Sequence, residues 1–119
     1  MADKGRYLIS IDVGIRNIGM CVLDICDPDA EPYLEKSCLL ETKSGLKYKK
    51  YEEGIAHELA YTWLGDRWAT YFRHARIVVI EKQYTTMQSA LERGCLYIEA
   101  CLCSYLLFAR TMGGPLHVT

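Results

Sequence analysis

Residues 7–11 (YLISI) form a short, β-branched-rich apolar run that stops at Asp12, the pattern of a buried strand. Val13-Gly14-Ile15-Arg16-Asn17 reads as a turn, because Gly14 and Asn17 both tolerate positive φ. Residues 19–25 (GMCVLDI) read as a second strand that pairs back on the first as a hairpin. Asp27-Pro28-Asp29 has turn chemistry, and residues 33–42 (YLEKSCLLET) fit a third strand, with a helix as the alternative.

Lys43, Lys47, Lys49 and Lys50 then crowd residues 43–50 without an acid, an exposed basic connector. A helix is expected from about Tyr51 to His74: Ile55, Leu59 and Trp63 make one stripe, with Ala56, Ala60, Leu64 and Trp68 beside it. Gly54 and Gly65 weaken it by about 1 kcal/mol each relative to Ala. Ile77-Val78-Val79-Ile80 is apolar on both faces, as suits a central strand covered by helices on each side, and it ends in Glu81. Thr85 followed by Gln88 fits a capping box, so a second helix should run from near Thr86 to about Arg110 and stop at Gly113-Gly114-Pro115. Residues 116–118 can begin one more strand. A three-strand meander followed by βα units makes an α/β protein with a mixed sheet and helices packed on it.

Composition narrows the classes. The chain has 119 residues, a single domain's worth, with 50% apolar and 24% charged residues, which excludes a disordered or fibrous protein. Six cysteines and no apolar run behind a basic start are expected to mean free thiols in a reducing, intracellular compartment. The net charge of −1 is low for a protein that lives on DNA. Residues 94–109 hold Glu99 as their one charge, too short a stretch to span a bilayer, which needs ~20 apolar residues.

Asp12 and Glu81 each stand where an apolar strand stops. If those strands lie side by side and parallel, both acids project from one edge of the sheet, where open α/β sheets bind ligands. Two carboxylates so placed repel unless a cation lies between them, and Mg²⁺ takes one or two carboxylates plus substrate phosphates. Acids also mark strand ends simply because loops are polar, and spacing alone leaves that open.

Residues 9–22 (ISIDVGIRNIGMCV) resemble the first motif of the RuvC-type Holliday junction resolvases, in the ribonuclease H-like superfamily. Residues 77–83 (IVVIEKQ) resemble their second motif, and the text that follows is most similar to the mitochondrial and poxvirus or giant-virus branch. The resemblance runs from about Tyr7 to Phe108 and is thin between residues 26 and 75. It implies a ribonuclease H-like fold and a Mg²⁺-dependent endonuclease (Mn²⁺ substituting) that hydrolyses phosphodiesters at four-way DNA junctions in recombination and repair. Asp12 and Glu81 would be its catalytic metal ligands. Gly14 would admit the scissile phosphate, and Arg16 and Asn17 would touch DNA phosphates or be a plain solvated turn. Lys82, Gln83, Tyr84 and Thr85 would form a DNA-facing loop, with Tyr84 either a base-stacking residue or an ordinary half-buried tyrosine.

Lys49 and Lys50, in the run Lys47-Tyr48-Lys49-Lys50-Tyr51, would track phosphates or form a solvated charge run. The helix around 86–110 would build a homodimer, or lie between the sheet and a further C-terminal part. The family completes its site with two acids three residues apart on a last helix, whereas beyond Glu81 the only acids here are Glu92 and Glu99. The chain is therefore expected to be a C-terminally truncated or degenerate copy with weak or absent cleavage. A non-catalytic junction-binding or dimerisation module, and an actin-like or sugar-kinase-like phosphate binder, are the alternatives. His57-Glu58 lacks the second histidine of a zinc protease, and the cysteine spacings favour buried thiols over zinc.

Overall fold

Strand alternation decides which residues face the helices and which face away. The computed structural model describes residues 5–41, 51–82 and 90–119, with nothing said of the side chains of 90–92. Its strands are β1 (Tyr7–Asp12), β2 (Ile18–Asp24), β3 (Tyr33–Ser37), β4 (Ala75–Ile80) and β5 (His117–Val118). Its helices are α1 (Ala56–Trp68) and α2 (Ala90–Thr111). The five strands form one mixed sheet in the order β3-β2-β1-β4-β5. β1 pairs antiparallel with β2 and parallel with β4, the arrangement on which the carboxylate argument depended.

One face of the sheet carries the core. Ile9, Ile11, Ile18, Met20, Val22, Val78 and Ile80 point there and are buried. Leu59, Ala60 and Trp63 of α1 and Ile98, Leu102 and Leu106 of α2 close over them. Fully burying each such Leu or Ile contributes ~1.5–3 kcal/mol. The opposite face, with Leu8, Cys21, Leu23, Leu34 and Val79, has no described helix over it, and Leu34 is 74% exposed. The expectation that β4 is covered on both sides is thus corrected: Val79 is 38% exposed.

The helix expected over 51–74 is shorter. Its apolar stripe is right, but a 3-10 turn over Glu53–Ile55 precedes α1, and another over Phe72–His74 follows it. The chain leaves the helix after Trp68 because Phe72, fully buried, must turn into the core against Trp63. The third strand also ends early, at Ser37 rather than at residue 42. Leu39 there folds under the sheet, its N–H donating to the Ile15 carbonyl at 2.9 Å. The basic connector at 43–50 and the capping box at Thr85 and Gln88 lie outside the described residues. The far end of α2 stops as expected: Gly113 takes φ +89°, and the Gly114 N–H donates back to the Ala109 carbonyl at 2.9 Å, a Schellman-type cap.

Among the described residues Arg67 is the buried charged one, at 4% exposure. Its Nε donates to Glu35 of β3, its Nη1 donates to the Trp63 carbonyl at 2.9 Å, and its guanidinium lies 4.6 Å from the Trp63 ring. This group ties α1 to the edge strand.

Candidate active site at the carboxyl edge of the sheet

β1 and β4 run parallel with Ile11 opposite Ile80, so the next residues, Asp12 and Glu81, leave the sheet together. The ladder continues one step further, the Glu81 N–H donating to the Ile11 carbonyl at 3.0 Å. Both side chains are exposed and fall on the face away from the helices. They are hydrogen-bonded to each other, and that bond with the Asp12 charge holds the Glu81 carboxyl above the usual carboxylate range.

The loop after Asp12 is built tightly. A Cβ at Gly14 would stand 2.6 Å from the Asn17 carbonyl oxygen. Neither Gly14 nor Asn17 adopts positive φ, which corrects the expected reason for the turn. Gly14 is required by close approach of its own backbone rather than by a left-handed conformation. Arg16 and Asn17 are exposed and, with Gly14, Ile15 and Cys95, line a cavity of about 270 Å³. α2 comes this close to the loop at Gly94, where a Cβ would stand 2.6 Å from both Ile15 Cδ1 and Tyr51 Cε1. Gly94 was not singled out from the sequence; a glycine inside an apolar helical run was the available signal.

Cross-strand register adds two further residues. Asp12 pairs with Gly19 and Gly19 with Lys36, so Lys36, Gly19, Asp12 and Glu81 form one row along the edge, all on the helix-free face. A cavity of about 240 Å³ opens there, lined by Ser10, Asp12, Gly19, Cys21, Leu34 and Lys36.

Of the other expected contacts, Lys82 is exposed directly after Glu81, whereas Gln83, Tyr84, Thr85, Lys49 and Lys50 lie outside the described residues. All six cysteines are free. Cys101 lies 3.3 Å from His57 Nδ1, but burial pushes its thiol up, away from a reactive thiolate. A groove of about 380 Å³ between α1 and α2, lined by Tyr61, Leu64, Trp68, Tyr105 and Phe108, carries no acid or base suited to hydrolysis.

Among the described residues no cluster of three or more His, Cys, Asp or Glu could hold a metal ion. The donor set at the edge is a pair of exposed, mutually repelling carboxylates. That suits a hard cation which keeps several waters and takes remaining oxygens from a phosphate, as Mg²⁺ does. No described helix is long and apolar enough to cross a membrane.

No family model and no curated protein matches the sequence. Among solved structures, the yeast mitochondrial Holliday junction resolvase Ydc2 superposes with a TM-score of 0.67 at 12% identity, over 98% of this chain and 52% of that one. Thermus thermophilus RuvC gives a TM-score of 0.46 at 16% identity, over 90% of this chain and 58% of its own. RuvC in complex with a Holliday junction substrate gives 0.45 at 14%, over 90% and 59%. The fold is the ribonuclease H-like mixed α/β sheet. The chain spans about half the length of the resolvase Ydc2.

Proposed function

We propose that this chain is a RuvC-type, Mg²⁺-dependent endonuclease acting on four-way DNA junctions. The observation that carries the reading is the contact between Asp12 and Glu81, from separate strands, at the carboxyl edge of the sheet. Asp12 and Glu81 would hold the cation. Bound there, it would polarise a phosphodiester and supply hydroxide near neutral pH. The residues of the chain then have separate tasks. The carboxylates orient the cation. Arg16 and Asn17, exposed on the loop that follows Asp12, and Lys82, next in sequence to Glu81, bind phosphates. The loop keeps its shape because Gly14 lets the backbone fold against Asn17.

Gln83, Tyr84, Thr85, Lys49 and Lys50 would also contact DNA in this reading. Exposed Tyr97, Leu107 and Phe108 on α2 support a homodimer through that helix, whose twofold would match symmetric cutting. Beyond Glu81 the sequence supplies only Glu92 and Glu99 as further acids, so cleavage by these 119 residues is expected to be slow. The same shortage favours, as second reading, a junction-binding module without catalysis.

Incubating the protein with a labelled four-way junction and Mn²⁺, beside Asp12→Asn, tests the proposal. Symmetric nicks that vanish in the variant are expected. Binding without nicks in either protein leaves the second reading, and failure to bind junctions removes both.

A further inference from the structure

The row Lys36–Gly19–Asp12–Glu81 places a cation across an empty position from the carboxylates. Adjacent strands lie ~4.8 Å apart, so Lys36 stands roughly 10 Å from Asp12, with Gly19 between. Gly19 has no side chain, and even a Cβ there would already touch Asp12 Cβ at 3.6 Å. The gap is the cavity of about 240 Å³ described above, walled by Lys36 on one side and Asp12 on the other. A lysine stem spans about 6 Å, so the Lys36 ammonium can swing over the gap. Lys36 is exposed and forms no ion pair among the described residues. Its strand is held in place by the Arg67–Glu35 pair one residue away, on the opposite face.

We infer that Lys36 binds a backbone phosphate of the DNA strand that crosses the Gly19 gap, next to the phosphate held at Asp12 and Glu81. The inference rests on the proposed nuclease reading and gives it a substrate track: the strand runs along the sheet edge from Glu81 towards β3. The chemistry is a point charge on a phosphate, for which lysine is suited, and it offsets the repulsion between the acids and the polyanion. An edge lysine also deters strand-to-strand association. That role alone would leave DNA affinity unchanged, so the two are separable.

The test is junction binding by gel shift without divalent metal, at 50 and 200 mM salt, for the parent, Lys36→Gln, Lys36→Arg and Arg73→Gln. Arg73 is exposed and stands at the opposite end of the strands, before β4. One lost phosphate contact makes the log–log salt slope shallower by ~0.9, so the ratio of parent to Lys36→Gln affinity should fall roughly 3.5-fold between the two salts. Lys36→Arg should keep the parent slope and Arg73→Gln should resemble the parent. A Lys36→Gln protein with parental affinity and slope overturns the inference while the proposed function stands, as does an equal effect from Arg73→Gln. A parent that binds no junction removes both.

Discussion

Replacing Arg67 by Met tests how β3 is held. The methionine fills the space of the arginine stem but takes the Arg67 guanidinium away from Glu35. The Glu35 side chain is only 11% exposed, and of its donors in this cluster the Tyr33 hydroxyl remains, at 2.8 Å. Removing one partner of a buried ion pair costs ~3–5 kcal/mol. The lower end applies here, because Tyr33 still donates and β3 is an edge strand. With an m-value of roughly 1–3 kcal/mol/M in urea, a loss of ~3 kcal/mol lowers the midpoint by about 1.5–2 M at mid-range m. Arg67→Met combined with Glu35→Leu should recover most of that loss, since apolar replacement of both partners is often neutral. Urea unfolding of the two single variants and the double variant measures the coupling. A loss below ~1 kcal/mol for Arg67→Met, or strictly additive losses in the double variant, would refute the claim that this pair anchors the edge strand.

Two glycines in helices should respond with opposite signs. Gly65→Ala meets nothing within 4 Å and should stabilise by ~1 kcal/mol, whereas Gly94→Ala meets Ile15 and Tyr51 at 2.6 Å and should lose ~1–2 kcal/mol net of its helix-propensity gain. Thermal melts of the pair check this, and a Gly94→Ala as stabilising as Gly65→Ala would contradict the close approach of α2 to the loop. Tyr51→Phe should be neutral or stabilising by ~1 kcal/mol, because the buried Tyr51 hydroxyl has no hydrogen-bond partner among the described residues. It should also remove a phenol whose burial pushes its pKa up to about 12, read by ultraviolet titration. Arg6 holds the Asp24 carboxyl below its ordinary 3.8, so this pair's contribution is present above that pH and is lost as pH falls through the lower folded value. Asp24→Asn should therefore flatten the acid limb of a melting-temperature profile below the ordinary 3.8, and parallel profiles would contradict the assignment.

The sequence carried the strands well, because short β-branched runs that stop at an acid leave little choice of period. The meeting of Asp12 and Glu81 was legible too, since two strand-end acids need only a parallel pairing to come together, and β1 and β4 supply it. The end of α1 was not legible: the stripe continues in pattern past Trp68, and only the burial of Phe72 decides where the helix stops. Gly14 was read as a positive-φ turn residue, whereas its close approach to Asn17 is what requires a glycine there, and the two causes leave the same residue in the sequence. Arg67 was not singled out from the sequence, because its partner, Glu35, lies on a strand far away in the chain. Lys36 and Gly19 could emerge only from hairpin register, which a one-residue slip would have inverted.

The central claim is that Asp12 and Glu81 form one cation site, and Mn²⁺ titration calorimetry on the junction-free protein addresses it directly. The parent should bind Mn²⁺, and Asp12→Asn and Glu81→Gln should each weaken that binding by about tenfold or more, as loss of a charged ligand requires. Both variants should keep the parent's melting temperature to within a few degrees, since the two side chains are exposed. Equal Mn²⁺ affinity in the parent and both variants would contradict the account.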